Sequence, residues 1–143
     1  MNDHAALRNL YRQVVLEHSR QPVGHHLDID HTHRAEGHNP VCGDAVDLRL
    51  RVADGTIEAA AFFGESCALC TAASSLLCAH LPGEALGAVV RVRDAYAAAI
   101  RSGDDPGCPD WLRPMVAVRR YPARVECALL PWDTAVRAVG ADA

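Results

Sequence analysis

The sequence has no lysine; all fourteen of its basic residues are arginine. A Schiff base to a carbonyl cofactor needs a lysine amine, so this chain is not itself a pyridoxal-phosphate enzyme. A surplus of basic charge is also missing. Eighteen acidic residues against fourteen basic ones give a net charge of −4 and an isoelectric point near 6.0. That is the wrong sign for the basic footprint of general nucleic-acid binding, and its simplest role is solubility. No long apolar run occurs. The least polar stretch, Cys67 to Leu81, holds Thr71, Ser74, Ser75 and His80, and at about 15 residues it is too short and too polar to span a bilayer. The opening Met1-Asn2-Asp3-His4 lacks the apolar segment of a secretory leader. A cytoplasmic protein is therefore expected, and there six cysteines read as metal ligands or reactive thiols before they read as disulfides. Internal repeats, linkers and low-complexity tracts are absent, so residues 1–143 read as a single domain. With half its residues apolar, the chain is long enough to bury a core.

What is present reads as an α+β pattern. Leu7, Leu10, Tyr11, Val14, Val15 and His18 share one face of a helix over 4–19, which Arg20-Gln21-Pro22-Val23-Gly24 ends. Residues 24–41 read as loop and carry five of the eight histidines: His25, His26, His31, His33 and His38. Val46, Leu48, Leu50 and Val52 alternate with Asp47, Arg49 and Arg51, the period of a half-buried strand. Asp54-Gly55 is a hairpin signal, and a second strand runs over 56–63 with no legible buried face. An Ala/Leu-rich helix over 68–80 ends at Pro82-Gly83. Another follows over 84–101, anchored by Leu86, Val89, Val90, Ala97 and Ile100. A turn-rich break, a short helix over 111–118 and a last helix over 125–139 complete the chain. The expectation is a small antiparallel sheet of about three strands, with helices packed on one face.

Four places supply thiols or a carboxylate beside one. They are Asn39-Pro40-Val41-Cys42-Gly43-Asp44, then Cys67 at a helix start, then Cys70 one turn on, and Cys127 at the start of the last helix. In an antiparallel hairpin the start of the first strand lies beside the end of the second, which brings Cys42, Asp44 and Cys67 to one end of the sheet. A helix N-terminus favours a thiolate, and three thiolates with one carboxylate can close a tetrahedral zinc site. Cys78, on the apolar helix, reads as core, and Cys108, in a polar loop, as having no metal role. Cys67-Ala-Leu-Cys70 admits a redox dithiol, but no second close pair completes a zinc ribbon and no βαβ frame surrounds it. The histidine-rich segment reads as a solvated loop or as a metal-binding tract.

These residues, in this order, resemble a known family. Leu10-Tyr11-Arg12-Gln13-Val14-Val15-Leu16-Glu17-His18, Asn39 to Asp44, Gly64-Glu65-Ser66-Cys67-Ala68-Leu69-Cys70 and Tyr121-Pro122-Ala123-Arg124-Val125-Glu126-Cys127-Ala128-Leu129 look like the U-type iron–sulfur assembly proteins, which include the IscU scaffolds and the SufU group. The resemblance spans about 7–139. IscU-type members carry a His directly before the last cysteine, where this chain has Glu126. The SufU group has an added segment before that cysteine and a Pro-Ala-Arg ahead of it, matched here by 101–121 and Pro122-Ala123-Arg124. Ser66, Cys70 and Glu126 depart from the usual Gly, Ser and basic residue of that group.

The resemblance implies an α+β fold and a zinc site of Cys42, Asp44, Cys67 and Cys127. It implies a sulfur acceptor that takes persulfide sulfur from a SufS-type pyridoxal-phosphate cysteine desulfurase and passes it towards downstream SUF cluster-assembly proteins. Cys42, on a Pro/Gly-flanked loop, is the expected acceptor, with Arg124 in support. The alternatives are an IscU-type scaffold holding a [2Fe–2S] cluster on the same residues, and a zinc-stabilised binding protein without sulfur chemistry. A thiol-redox protein built on Cys67 and Cys70 is a further alternative.

Overall fold

The structure is a computed structural model that describes residues 3–142. Helix α1 (Asp3–Arg20) precedes strands β1 (His33–Asn39), β2 (Asp44–Ala53) and β3 (Thr56–Phe63). Helices α2 (Ala68–His80), α3 (Ala88–Ser102) and α4 (Val125–Val139) follow, with a 3-10 helix over Arg113–Arg120 before α4. The sheet is antiparallel, ordered β1-β2-β3. The α+β expectation of a three-stranded sheet with helices therefore holds.

The alternation along β2 works as its sequence reads. Val46, Leu48 and Leu50 are buried, while Asp47 and Arg49 face outward in an ion-paired group with Arg34. Asp54 and Gly55 both take positive φ, 51° and 75°, the primed turn whose twist matches a two-residue hairpin. In β3, Ile57, Ala60, Ala61 and Phe62 are buried. A register shift between Arg51 and Val52 breaks the simple alternation, which is why no single face was legible there.

Residues 33–39 are not loop but the edge strand β1. Its inward positions are Ala35, Gly37 and Asn39, small or polar residues that give no apolar alternation to read. The reason is close packing. A Cβ on Gly37 would lie 2.1 Å from Thr134 Oγ1 of α4, so only glycine lets helix and strand approach this far. Residues 24–26 add backbone pairing to β3, with Phe62 N–H donating to Gly24 O and His26 N–H to Phe62 O, both at 2.9 Å.

The helices follow their apolar patterns with two adjustments. Tyr11, Val14 and Val15 of α1 pack against the core. His18 Nδ1 meets Ser75 Oγ of α2 at 2.7 Å. Leu10 departs from that face and is 44% exposed; Leu7 lies among residues whose side chains fall outside the description. Helix α3 begins four residues later than its pattern, because Ile57 N–H donates to Glu84 O and Leu86 N–H to Gly55 O, tying 84–86 to the β2–β3 hairpin. It ends at Gly103 in the left-handed region. Helix α4 runs through Pro131, which has no N–H to offer the Cys127 carbonyl.

Candidate metal centre

One end of the sheet gathers the thiols. Asn39 pairs with Asp44, so Pro40, Val41, Cys42 and Gly43 form the tip of the β1–β2 hairpin. Gly43 takes φ +72° there, with open space around it. Val41 is 90% exposed and Cys42 is half-buried. Ladder pairing continues past β3, where Ala45 N–H donates to Glu65 O at 2.9 Å. Gly64 makes this passage possible. It has φ +109°, and a Cβ there would meet Ala45 O at 2.4 Å. The chain then turns into α2 at Cys67, which caps the helix by accepting Cys70 N–H at 3.4 Å.

Asp44 links the hairpin to this cap. Its Oδ1 accepts Cys67 N–H at 2.7 Å, and its Oδ2 lies 3.7 Å from Cys67 Sγ. From the other side the first turn of α4 brings Cys127, whose Sγ is 3.2 Å from Cys42 Sγ. Cys42, Asp44 and Cys127 hold ligand atoms within 4.8 Å of one another, and Cys67 joins them through Asp44. Segments far apart in sequence thus place two sulfurs and one carboxylate in one group, and the Cys67 sulfur lies outside that group, against its carboxylate.

The chemistry of this donor set fits a cation. Asp44 is 2% exposed, and no cationic side chain pairs with it among the described residues. An unpaired buried carboxylate is costly. The Cys127 thiol is pushed well above its ordinary pKa by burial and then by Cys42, Asp44 and Cys67 crowded around it. A cation among them would reverse that penalty by favouring the thiolates. A tetrahedral zinc site with Zn–S near 2.3 Å has edges of about 3.8 Å, comparable to the 3.2 and 3.7 Å separations seen.

Asn39 has a part in this site that its position in the Asn-Pro-x-Cys-Gly-Asp element did not reveal. Its buried amide donates to Cys127 Sγ at 3.7 Å, reaching across from the end of β1. Tyr11 was legible only as part of a helix face. Its ring stacks on Tyr121 with centroids 6.2 Å apart. Burial raises its pKa first, then the electrostatic influence of Tyr121, with Cys67 and Cys127 adding to it and Arg124 opposing. Arg124, just ahead of α4, is exposed and has no ion pair among the described residues.

The cysteines other than Cys42, Cys67 and Cys127 are buried. Cys70 is fully buried, and burial, then Asp44, pushes its thiol up to about 12. That disfavours the thiolate on which a redox dithiol with Cys67 depends. Cys78 and Cys108 are buried and also raised by burial. The histidines scatter. His25 stacks on Phe62 and lies tilted against His26, His33 meets Asp142, and no histidine joins a three-residue metal-ligating group among the described residues.

The chain is similar to known proteins over nearly its whole length. Residues 10–140 match the model of the NifU-like N terminal domain. The iron-sulfur cluster assembly scaffold protein IscU of Streptococcus pyogenes serotype M1 is 27% identical over 135 residues, covering 93% of this chain and 84% of that protein. The zinc-dependent sulfurtransferase SufU of Bacillus subtilis strain 168 is 25% identical over 141 residues, covering 97% and 95%. A solved NifU-like N-terminal structure from Brucella abortus superposes with a TM-score of 0.75 at 25% identity, over 91% of this chain and 92% of that one.

Proposed function

The chain belongs to the family of NifU-like N-terminal domains, and from that membership we propose that it is an iron–sulfur cluster assembly protein of the SufU kind. It acts as one cytoplasmic domain that accepts persulfide sulfur from a SufS-type, pyridoxal-phosphate cysteine desulfurase and passes it to downstream SUF proteins. The observation that carries this reading is the donor set. The Cys42 and Cys127 thiols and the buried Asp44 carboxylate form one group with no histidine in it, the Cys67 thiol lies 3.7 Å from that carboxylate, and Glu126 stands before the last cysteine.

Cys42, Asp44, Cys67 and Cys127 would hold zinc. Zinc, when bound, supplies a positive charge that keeps the thiolates deprotonated near neutral pH. The remaining chemistry belongs to the chain. The Cys42 thiolate attacks the outer sulfur of the donor persulfide. That S–S bond breaks, the desulfurase thiolate leaves, and Cys42 carries the new persulfide with no net oxidation. Cys42 suits the task because it sits half-exposed on a hairpin tip, between the exposed Val41 and Gly43, which has open space around it. Cys127 is buried, and Cys67 is fixed as the cap of α2. Asp44 holds the Cys67 backbone in place, and Arg124 offsets the negative charge as the persulfide forms.

The test is metal analysis of untagged, anaerobically purified protein, followed by desulfurase turnover with labelled cysteine. About one zinc per chain, faster desulfurase turnover and label on Cys42 are expected. Asp44→Ala should lose zinc or slow sulfur transfer with its circular dichroism unchanged; a variant matching the parent in both removes Asp44 from the ligand set. Iron with matching sulfide would favour the scaffold role instead. Label on Cys70 or Cys127 with Cys42 unmodified would overturn the assigned acceptor.

A further inference from the structure

Away from the thiols, a cavity of about 290 Å³ opens between α1, the end of α3 and the 3-10 helix Arg113–Arg120. Four arginines line it, Arg8, Arg113, Arg119 and Arg120, against one acid, Asp104. This is a concentration of positive charge on a chain whose net charge is −4. The rest of the lining is largely apolar, with Ala99, Pro114, Val116 and Ala117. We propose that this cavity binds a small organic oxyanion, a carboxylate or phosphate carried on a short apolar body.

The arginines are not equivalent. Arg113 is already engaged, donating to Asp110 and Asp104 side chains and to the Asp105 carbonyl. Arg119 is positioned instead of neutralised. Its Nε donates to Ile100 O at 3.1 Å, and its guanidinium lies against Gly103, where a Cβ would come within 3.3 Å of Cζ. The left-handed Gly103 that ends α3 thus gives the guanidinium its flat seat, and no acid pairs with its two Nη groups among the described residues. Arg8 is exposed on α1 and likewise has no acidic partner there. A held guanidinium fork is preorganised for the two oxygens of a carboxylate or phosphate. The volume sits near the lower bound of small-ligand pockets, about 300 Å³, which sets the ligand's size.

The experiment is titration of the full chain with glutarate and with inorganic phosphate at constant ionic strength, followed by amide NMR shifts and calorimetry. Saturable binding of at least one anion, with Kd of about 1 mM or tighter, is expected, with shifts centred on Gly103, Val116 and Ala117. Glutarate alone binding marks the site as one for carboxylates, phosphate alone as one for phosphates. Arg8→Gln and Arg119→Gln should each weaken binding about tenfold or more. Arg51→Gln, which removes the same charge from the Glu58 ion pair on the hairpin, should leave it unchanged. Arg8 is an exposed helix residue, so its variant keeps the test valid if Arg119→Gln loosens the end of α3. No saturable shift with either anion up to about 20 mM, or an equal loss in Arg51→Gln, would overturn the proposal.

Discussion

A thiol reacts through its anion, so environment divides six residues of one type into different chemistries. Cys42 and Cys67 are half-buried, while Cys70 and Cys78 are buried, with Cys70 pushed up to about 12. In native protein treated with a chelator, iodoacetamide should modify Cys42 and Cys67 first and reach Cys70 and Cys78 only on unfolding. Peptide mass mapping over a time course reads this directly, and Cys70 reacting as fast as Cys67 would revive the dithiol. The identities and spacing of the cysteines were legible from the sequence, and so was the approach of Asp44 to Cys67 across one sheet end; that Cys127, and not Cys67, completes the group with Cys42 and Asp44 was not. Their unequal reactivity was not. It depends on α2 turning Cys70 inward one turn after Cys67, and on which sulfur meets which neighbour. The amide of Asn39 shows the same limit. Its place two residues after Gly37 is plain, but its bond to Cys127 Sγ exists only because α4 crosses β1.

At the scale of elements, that crossing carries much of the site's precision. Helices α2 and α4 and strands β2 and β3 were legible because apolar spacing and turn residues agree with the fold. Strand β1 was not, because its inward side chains are kept small by the helix lying on them. Gly37 is the narrowest point, 2.1 Å from Thr134 Oγ1 for any added Cβ and 3.1 Å from Leu130 Cδ1. Gly37→Ala should therefore destabilise the fold by about 1–3 kcal/mol, despite the entropy that alanine removes from the unfolded chain. Urea unfolding measures this. Adding Thr134→Ala removes the nearer clash and should recover part of the loss, giving a coupling energy above about 0.5 kcal/mol. Strict additivity would show that β1 accommodates the methyl by moving as a whole. Because Asn39 ends the same strand, Gly37→Ala should also weaken the hold of the proposed site on an added metal ion, which a metal-release assay reads separately.

For the whole molecule, the question is whether the thiol cluster builds the fold or rests on it. The cluster draws on the β1–β2 hairpin, the β3–α2 turn and the start of α4, so a bound cation would join segments far apart in the chain. Yet the core is assembled elsewhere. Leu48, Leu50, Ile57, Phe62, Leu77, Tyr96, Leu112, Met115 and Trp132 are all fully buried, and the hydrophobic cluster they belong to runs through β2 and β3 and through α2, α3 and α4. Small metal-built domains lack such a core and unfold without their ion. Here metal should act as a ligand of an already folded chain. Bound at about 100 times its Kd it adds about 2.7 kcal/mol, which in a domain of this size raises the melting temperature by roughly 8–12 °C. Chelation should lower the melting temperature by that order while the far-ultraviolet circular dichroism at 25 °C stays unchanged. Collapse of the helical signal on chelation would mean that the ion is structural, and would favour a zinc-stabilised binding protein over the proposed sulfur acceptor.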